Sequence, residues 1–294
     1  MIRSVAVLLA ALIALPLAAQ AREQIRIVGS STVFPFSAAV AEHFGHKTRF
    51  PAPVVESTGS GGGLKLFCGG IGDRHPDITN ASRRIKPSEV ALCASNGVTE
   101  IVEVKIGYDG IVLANSFDSP LLEISLQQLW LALAKNVPAG EGVLQANPHN
   151  KWSDIDAALP GAKIEVFGPP PTSGTRDAFV EVAMEGGCQT FRWIAALKET
   201  DESAFKTLCH TLREDGSFIE AGENDNLIVQ KLTANPNTFG IFGFSFLDQN
   251  YDRVQGSFVN GAAPEFEEIA AGKDPISRSL YFYIKKAHVD LVPG

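Results

Sequence analysis

The sequence predicts an α/β protein built as two lobes. Short apolar strands alternate with helices along most of the chain, a pattern typical of α/β rather than all-β architecture. Four cysteines are divided evenly between the two halves of the chain, which favours two separate lobes. A length of 294 residues is sufficient for two moderate folded units.

The first 21 residues are predicted to be a secretory signal peptide. Arg3 precedes an apolar run from Val5 to Leu15, and Ala19-Gln20-Ala21 forms an A-x-A cleavage pattern. The run is well short of the roughly 20 residues that span a bilayer, which argues against a membrane anchor. Cleavage after Ala21 removes one charged residue and changes the formal charge from −8 to −9.

Three strand–loop–helix units recur in the remaining chain. Each has a loop rich in Gly, Ser or Thr between an apolar strand and a helical face, and the loops cover residues 29–32, 56–63 and 172–175. Such a loop leaves the first backbone N–H groups of the helix without intrahelical partners. These N–H groups are suited to binding an anion, although helix capping alone also explains any single loop.

Other segments are predicted to form scaffold. Ser125 is expected to cap a helix bearing Leu126, Leu129, Trp130 and Leu133, and a second helix is expected around Trp193. The segment 240–247 is apolar and contains two glycines, and we expect it to be a strand that links the lobes.

The cysteines are Cys68, Cys93, Cys188 and Cys209, and four cysteines allow three pairings. The sequence separations favour Cys68 with Cys93 and Cys188 with Cys209. Export would permit disulfides, while free buried thiols and a zinc site are competing interpretations. No C-x-x-C motif occurs, and no metal site or cofactor is predicted.

The composition and motifs favour a binding protein over an enzyme. An acidic total of 33 against 25 basic residues argues against a nucleic-acid partner. The chain has no G-x-S-x-G elbow, and its glycine cluster is not followed by the Lys-Ser/Thr of a P-loop. No catalytic residue is predicted.

Four motifs resemble those of the phosphate-binding proteins of bacterial ABC-type phosphate uptake systems. They are GSSTVFP at 29–35, STGSGGG at 57–63, NASR at 80–83 and SGTRDAF at 173–179. The resemblance extends over nearly the whole chain after the predicted signal peptide. It implies a type II periplasmic binding protein with a central sheet and flanking helices in each lobe, two chain crossings between the lobes, and phosphate in the cleft.

The resemblance also implies the lobe boundaries and the ligand residues. Lobe 1 is expected to comprise 22–108 and 243–294, and lobe 2 to comprise 109–242. The expected phosphate ligands are hydroxyl groups, backbone N–H groups and guanidinium groups from Ser31, Thr32, Val33, Phe34, Ser60, Ser82, Arg83, Ser173, Gly174, Thr175 and Arg176.

Two departures from the family pattern concern charge. Many relatives have an Asp after the Ala-Ser pair, where it accepts a hydrogen bond from protonated phosphate and so excludes sulfate, whereas Arg83 stands here. The usual Arg before the Ser-Gly-Thr stretch is replaced by Gly168 and three prolines, so Arg83 or Arg176 is expected to supply its charge.

The predicted function is capture of inorganic phosphate outside the cytoplasmic membrane by a periplasmic monomer that delivers it to an ABC transporter permease. A binder of another tetrahedral oxyanion such as sulfate is the first alternative. A secreted phosphatase or esterase that uses an exposed serine is an alternative from a different class, and a sensor or adhesive surface protein is a third.

Overall fold

A computed structural model describes residues 22–171, 173–222 and 225–293. The predicted signal peptide lies outside the described residues. Within them, strands and helices alternate strictly from the first strand to the fourth. The strands are β1 Arg26–Gly29, β2 Val54–Ser57, β3 Ile78–Ala81, β4 Ile101–Ser116, β5 Glu123–Ile124, β6 Asn136–Gly140, β7 Val143–Ala146, β8 Val166–Gly168, β9 Phe218–Glu220, β10 Phe239–Gly243, β11 Val254–Gly256, β12 Phe258–Val259 and β13 Ser277–Lys285.

Eleven α-helices lie between or beside these strands in the described residues. They are α1 Phe34–Lys47, α2 Ser60–Phe67, α3 Pro87–Ser95, α4 Leu126–Leu133, α5 Gly174–Phe179, α6 Glu185–Cys188, α7 Arg192–Thr200, α8 Glu202–His210, α9 Asp225–Ala234, α10 Phe244–Gln249 and α11 Phe266–Ala270. A π-helical segment, Val180–Met184, joins α5 to α6 in one continuous helical run, and 3-10 turns occur at Trp152–Asp154 and Lys286–His288.

One curled sheet of nine strands runs through both parts of the molecule. Its order is β2-β1-β3-β13-β4-β10-β8-β9, with β11 also pairing with β4. Strands β1, β2 and β3 are mutually parallel, as are β8, β9 and β10, so each half has the parallel pairing expected of strand–helix repeats. The predicted α/β class is confirmed.

The long strand β4 belongs to both halves of the sheet. Its first part, up to Gly110, pairs antiparallel with β13, and from Ile111 onward it pairs with β10. The chain therefore passes from one half of the sheet to the other between Gly110 and Ile111.

We infer the second crossing from the pairing and packing of the last strands. The strand at Phe239 ends at Gly243, and residues 244–249 form helix α10, so the predicted single strand over 240–247 is wrong in its second part. Strand β11 pairs with the second part of β4, and Ile276 packs in the same core cluster as Trp130. We therefore propose that lobe 1 comprises 22–110 and 277–293, and lobe 2 comprises 111–276.

Each lobe has an apolar core with one disulfide at its edge. In lobe 1, Leu64, Phe67 and Tyr283 are buried beside the Cys68–Cys93 bond, which joins the end of α2 to α3. In lobe 2, the core around Trp130 includes the Cys188–Cys209 bond, which joins α6 to α8. Both predicted pairings are confirmed.

The predicted scaffold helices also form. Ser125 caps α4 by accepting a hydrogen bond from the Gln128 N–H, while the Gln128 side chain accepts one from the Ser125 N–H. This reciprocal capping box fixes the start of the helix. Helix α7 covers the segment around Trp193 that was predicted to be helical.

Candidate functional site

The first Gly-Ser-Thr loop connects β1 to α1 and is held against β3. Gly29 has φ +136°, and a Cβ there would lie 2.0 Å from the Asn80 carbonyl oxygen, so only glycine fits. The Ser30 side chain and carbonyl accept hydrogen bonds from the N–H groups of Val33 at 3.4 Å and Phe34 at 3.0 Å. The N–H groups of Val33 and Phe34, two expected phosphate donors, are therefore hydrogen-bonded within the turn in this conformation.

The second loop brings two predicted ligand residues together. Ser60 begins α2 and Ser82 follows β3, and their hydroxyl oxygens lie 3.0 Å apart. The Ser60 Oγ also accepts a hydrogen bond from the Ser82 N–H at 3.1 Å. Because β1 pairs with both β2 and β3, the loops after these strands lie at one edge of the sheet.

The third loop meets the first one across the two lobes. Ser173 caps α5 by accepting a hydrogen bond from the Thr175 N–H at 3.2 Å. Thr32 donates its hydroxyl to the Gly174 carbonyl at 3.0 Å, and a Cβ at Gly174 would lie 2.5 Å from the Thr32 nitrogen. The Ser31 hydroxyl donates to Asp177 at 3.3 Å. All four sequence motifs therefore take part in two contacts, Ser60 with Ser82 and Thr32 with Gly174.

Arg278 on β13 joins these groups and was not predicted from the sequence. Its Nη2 donates to Thr32 Oγ1 at 2.8 Å and to the Gly174 carbonyl at 3.2 Å. Its other nitrogens contact Glu181 at 2.8 Å and Asp109 at 3.4 Å. The side chain is only 7% exposed, so this guanidinium is a buried positive charge between the lobes.

The sequence contained one signal for this residue. Arg278 occupies a buried position of an alternating strand that continues into Tyr281, Phe282 and Tyr283. Arginine is rarely buried unless it is paired, so a charge at such a position indicates a partner. The partners themselves are distant in sequence. The pairing of β13 with β4 places Asp109 opposite Arg278, and Thr32, Gly174 and Glu181 come from other parts of the chain.

The two arginines that were expected to supply the missing charge have other partners. Arg83 makes a two-pronged ion pair with Glu89, at 2.9 and 2.8 Å. Arg176 donates to the Pro169 carbonyl at 3.1 Å and its guanidinium carbon lies 4.4 Å from the centre of the Phe218 ring. Of the three arginines, Arg278 is therefore the one that contacts the first and third loops directly.

Carboxyl groups also approach the meeting point of the lobes. Burial raises the pKa of Asp109, and the charge and hydrogen bond of Arg278 oppose that effect. The pKa of Asp177 is also raised. Burial is the main cause, and the hydrogen bond from Ser31 offsets part of its effect. The cleft thus offers both donors and acceptors, which is the combination needed to distinguish a protonated oxyanion from an unprotonated one.

A cavity of about 490 Å³ lies between the lobes next to these groups. Ser82, Arg83 and Arg278 line it from lobe 1, and residues from Glu181 to His210 line it from lobe 2. Among the described residues, no group of three or more His, Cys, Asp or Glu side chains could hold a metal ion.

A family model described as a PBP superfamily domain matches residues 16–294 of the chain. The chain belongs to the PBP superfamily. The match covers both lobes, all three Gly-Ser-Thr loops and the strand that carries Arg278, and it confirms the family that the four motifs indicated.

Two curated proteins illustrate the relatives of this PBP-superfamily chain. Protein SphX of Synechococcus elongatus is 29% identical over 272 residues, covering 89% of this chain and 69% of the relative. The phosphate-binding protein PstS of Staphylococcus saprophyticus is 27% identical over 261 residues, covering 87% of this chain and 68% of the relative.

Solved structures agree in fold. The crystal structure of a possible phosphate binding protein from Planctomyces limnophilus has a TM-score of 0.68 and 27% identity, covering 90% of this PBP-superfamily chain and 82% of that chain. A substrate-binding protein of a putative phosphate ABC transporter from Clostridium perfringens, solved with bound phosphate, is similar in fold, with a TM-score of 0.53, 23% identity and coverage of 91% and 90%. No helix in the described part of this chain is long and apolar enough to cross a membrane.

Proposed function

We propose that this protein is an exported solute-binding protein that captures inorganic phosphate between its lobes and delivers it to an ABC transporter permease. The observation that carries the proposal is the convergence of Thr32, Gly174 and the buried Arg278. Support also comes from the names of the relatives, which include phosphate-binding proteins.

Binding would exchange hydrogen bonds that the lobes make with each other for hydrogen bonds to the ligand. The hydroxyls of Ser31 and Thr32 now donate to Asp177 and the Gly174 carbonyl. A tetrahedral anion placed among the loops would accept these O–H groups, the N–H groups at the start of α5 and the Arg278 guanidinium. Directed dipoles and a single buried cation act at short range, so an acidic protein can hold a small anion.

The site assignment extends the prediction in one respect. Ser31, Thr32, Val33, Phe34, Ser60, Ser82, Ser173, Gly174 and Thr175 remain our proposed hydroxyl and N–H ligands, with Arg278 rather than Arg176 as the principal guanidinium. Arg83 is proposed to act at longer range, because Glu89 holds it.

Discrimination against sulfate requires an acceptor for the proton of phosphate. Asp177 contacts the first loop through Ser31, and we infer that its carboxylate takes the role that an Asp has after the Ala-Ser pair in many relatives. Sulfate carries no proton at neutral pH and would meet only repulsion there. A tenfold excess of sulfate is therefore expected to leave the phosphate titration unchanged.

The chemistry of the cleft favours binding over catalysis. The Ser60 hydroxyl is hydrogen-bonded to Ser82, and the Ser31 hydroxyl is hydrogen-bonded to Asp177. Neither serine has the histidine partner that activates a serine nucleophile. Hydrolysis of a chromogenic phosphate monoester should be absent. We further propose a periplasmic monomer that has no nucleic-acid partner and whose signal peptide is cleaved after Ala21.

The test is calorimetric titration of phosphate into the purified protein and two serine variants. Loss of one buried hydroxyl partner removes roughly 1 to 3 kcal/mol, so Ser60→Ala and Ser173→Ala should each weaken phosphate binding by about five- to a hundredfold. Ser95→Ala is the matched control, since Ser95 bonds only to its own helix through the Leu92 carbonyl. Unchanged phosphate affinity in both site variants would contradict the assignment of Ser60 and Ser173 as phosphate ligands.

A further inference from the structure

The cavity between the lobes is larger than a single phosphate needs. It has a volume of about 490 Å³, which lies within the roughly 300 to 1,000 Å³ typical of sites for organic ligands. Orthophosphate has only five heavy atoms. The cavity also adjoins the proposed phosphate site, because the proposed ligand residues Ser82 and Arg278 line it.

The lining of this cavity is rich in basic side chains, and its three arginines all have carboxylate partners. Six Lys or Arg side chains and His210 line it, against three glutamates. The basic side chains away from the proposed phosphate ligands are Arg84, Lys86, Lys198 and Lys206. The lysines carry the charge that is less completely balanced, because Lys86 and Lys206 share the single carboxylate of Glu202.

Two glutamates are each shared by two basic groups. Glu202 lies 3.0 Å from Lys86 of lobe 1 and 2.9 Å from Lys206 of lobe 2. Glu185 lies 3.1 Å from Lys198 and 2.7 Å from His210. One carboxylate carries one negative charge, so Glu202 leaves one positive charge of its lysine pair unbalanced. The two lysines are 40% and 45% exposed and can turn toward a ligand in the cavity.

We propose that the cleft accepts phosphoryl compounds with a second anionic group, such as diphosphates. The inference rests on the proposed function, because the first phosphoryl group would occupy the orthophosphate site beside Ser82 and Arg278. The second anionic group would lie in the cavity and pair with Lys86 and Lys206. Binding would be reversible and would break no bond.

The probe is inorganic pyrophosphate, titrated calorimetrically into the whole protein with and without saturating phosphate. We expect pyrophosphate to bind and to be displaced by phosphate. In Lys86→Met/Lys206→Met, pyrophosphate affinity should fall by about tenfold, as expected for loss of partly exposed charge-assisted contacts. Phosphate affinity should change by less than about threefold, since neither lysine contacts the proposed phosphate residues.

The matched control is Lys135→Met/Lys273→Met, which removes the same charge from two other exposed ion pairs, with Glu214 and Glu268. It should leave both affinities near those of the unmodified protein. Thermal melting of both double variants checks folding, which exposed lysines should not alter.

Each remaining outcome decides between the two proposals. Phosphate binding without pyrophosphate binding overturns this inference and leaves the proposed function intact. Pyrophosphate binding without phosphate binding overturns the proposed function and retains the diphosphate site. A third outcome is that Lys86→Met/Lys206→Met loses phosphate and pyrophosphate affinity equally, and that the control variant loses as much. The lysines would then act only through the overall charge, and the inference would be overturned.

Discussion

Replacement of Arg278 by methionine tests the central contact of the proposed site. The side chain makes ion pairs with Glu181 at 2.8 Å and Asp109 at 3.4 Å, and it donates to Thr32 and the Gly174 carbonyl. Methionine keeps much of the apolar stem but removes the charge and all five donors. The change should therefore affect both folding and anion binding, for separable reasons.

The stability effect comes mainly from Asp109. Its side chain is 18% exposed and would lose its guanidinium partner, whereas Glu181 is 36% exposed and can be rehydrated. Removal of one partner of a buried pair costs about 3 to 5 kcal/mol, and partial hydration of Glu181 places our expectation near the lower value, about 3 kcal/mol. Urea unfolding without ligand measures this change.

The binding effect comes from one charge-assisted contact to the anion. Such a hydrogen bond contributes about 1.5 to 3 kcal/mol, so phosphate affinity should fall by roughly ten- to a hundredfold. Calorimetry at constant ionic strength, at a temperature well below the unfolding transition of the variant, measures it.

A second variant separates the two effects. Asp109→Asn/Arg278→Met removes the unpaired carboxylate, so it should recover part of the lost stability while phosphate binding stays weak. If Arg278→Met binds phosphate within twofold of the unmodified protein, Arg278 serves only to hold the lobes together and our ligand assignment for it is wrong.

Two further predictions concern the contact between lobes and a buried lysine. Gly174→Ala places a methyl group 2.5 Å from the Thr32 nitrogen and should weaken phosphate binding by about tenfold in calorimetry, whereas Gly161→Ala, with no neighbour within 4 Å, should not. Unaltered affinity in Gly174→Ala would mean that the two loops need not approach each other when the ligand binds. Lys285 is fully buried, and desolvation lowers its pKa to about 8. In the unfolded chain the same group has a pKa of about 10.4. Between these two pH values the unfolded state therefore holds one proton more than the folded state. The free energy of unfolding should therefore rise between pH 8 and 10.4, by up to about 3 kcal/mol relative to Lys285→Met, and parallel pH profiles of the two proteins in urea unfolding would contradict this.

Local pattern was sufficient to predict the architecture and much of the cleft. The strand–loop–helix repeats predicted the α/β class, and Ser125 marked the start of α4 because a capping box is a short-range signal. The cysteine separations predicted both disulfides, since each joins elements that are close in sequence. The 240–247 strand failed at Gly243 because an apolar run does not by itself distinguish a strand from a buried helix.

The sequence by itself determined the loops, and only the tertiary structure decided which groups meet in the cleft. Gly, Ser and Thr at helix starts are local features, so their anion-binding character can be predicted from neighbouring residues. Arg278 is 246 residues from Thr32, and the two meet because β13 pairs with β3, which in turn pairs with the strand β1 that leads into the Thr32 loop. Arg83 and Arg176 were expected as ligands by motif. In the fold Arg83 pairs with the carboxylate of Glu89, and Arg176 lies over the ring of Phe218. Charge balance inside a cleft depends on contacts across the whole chain, and for that reason composition gave no sign that Lys86 and Lys206 share one carboxylate in the cavity.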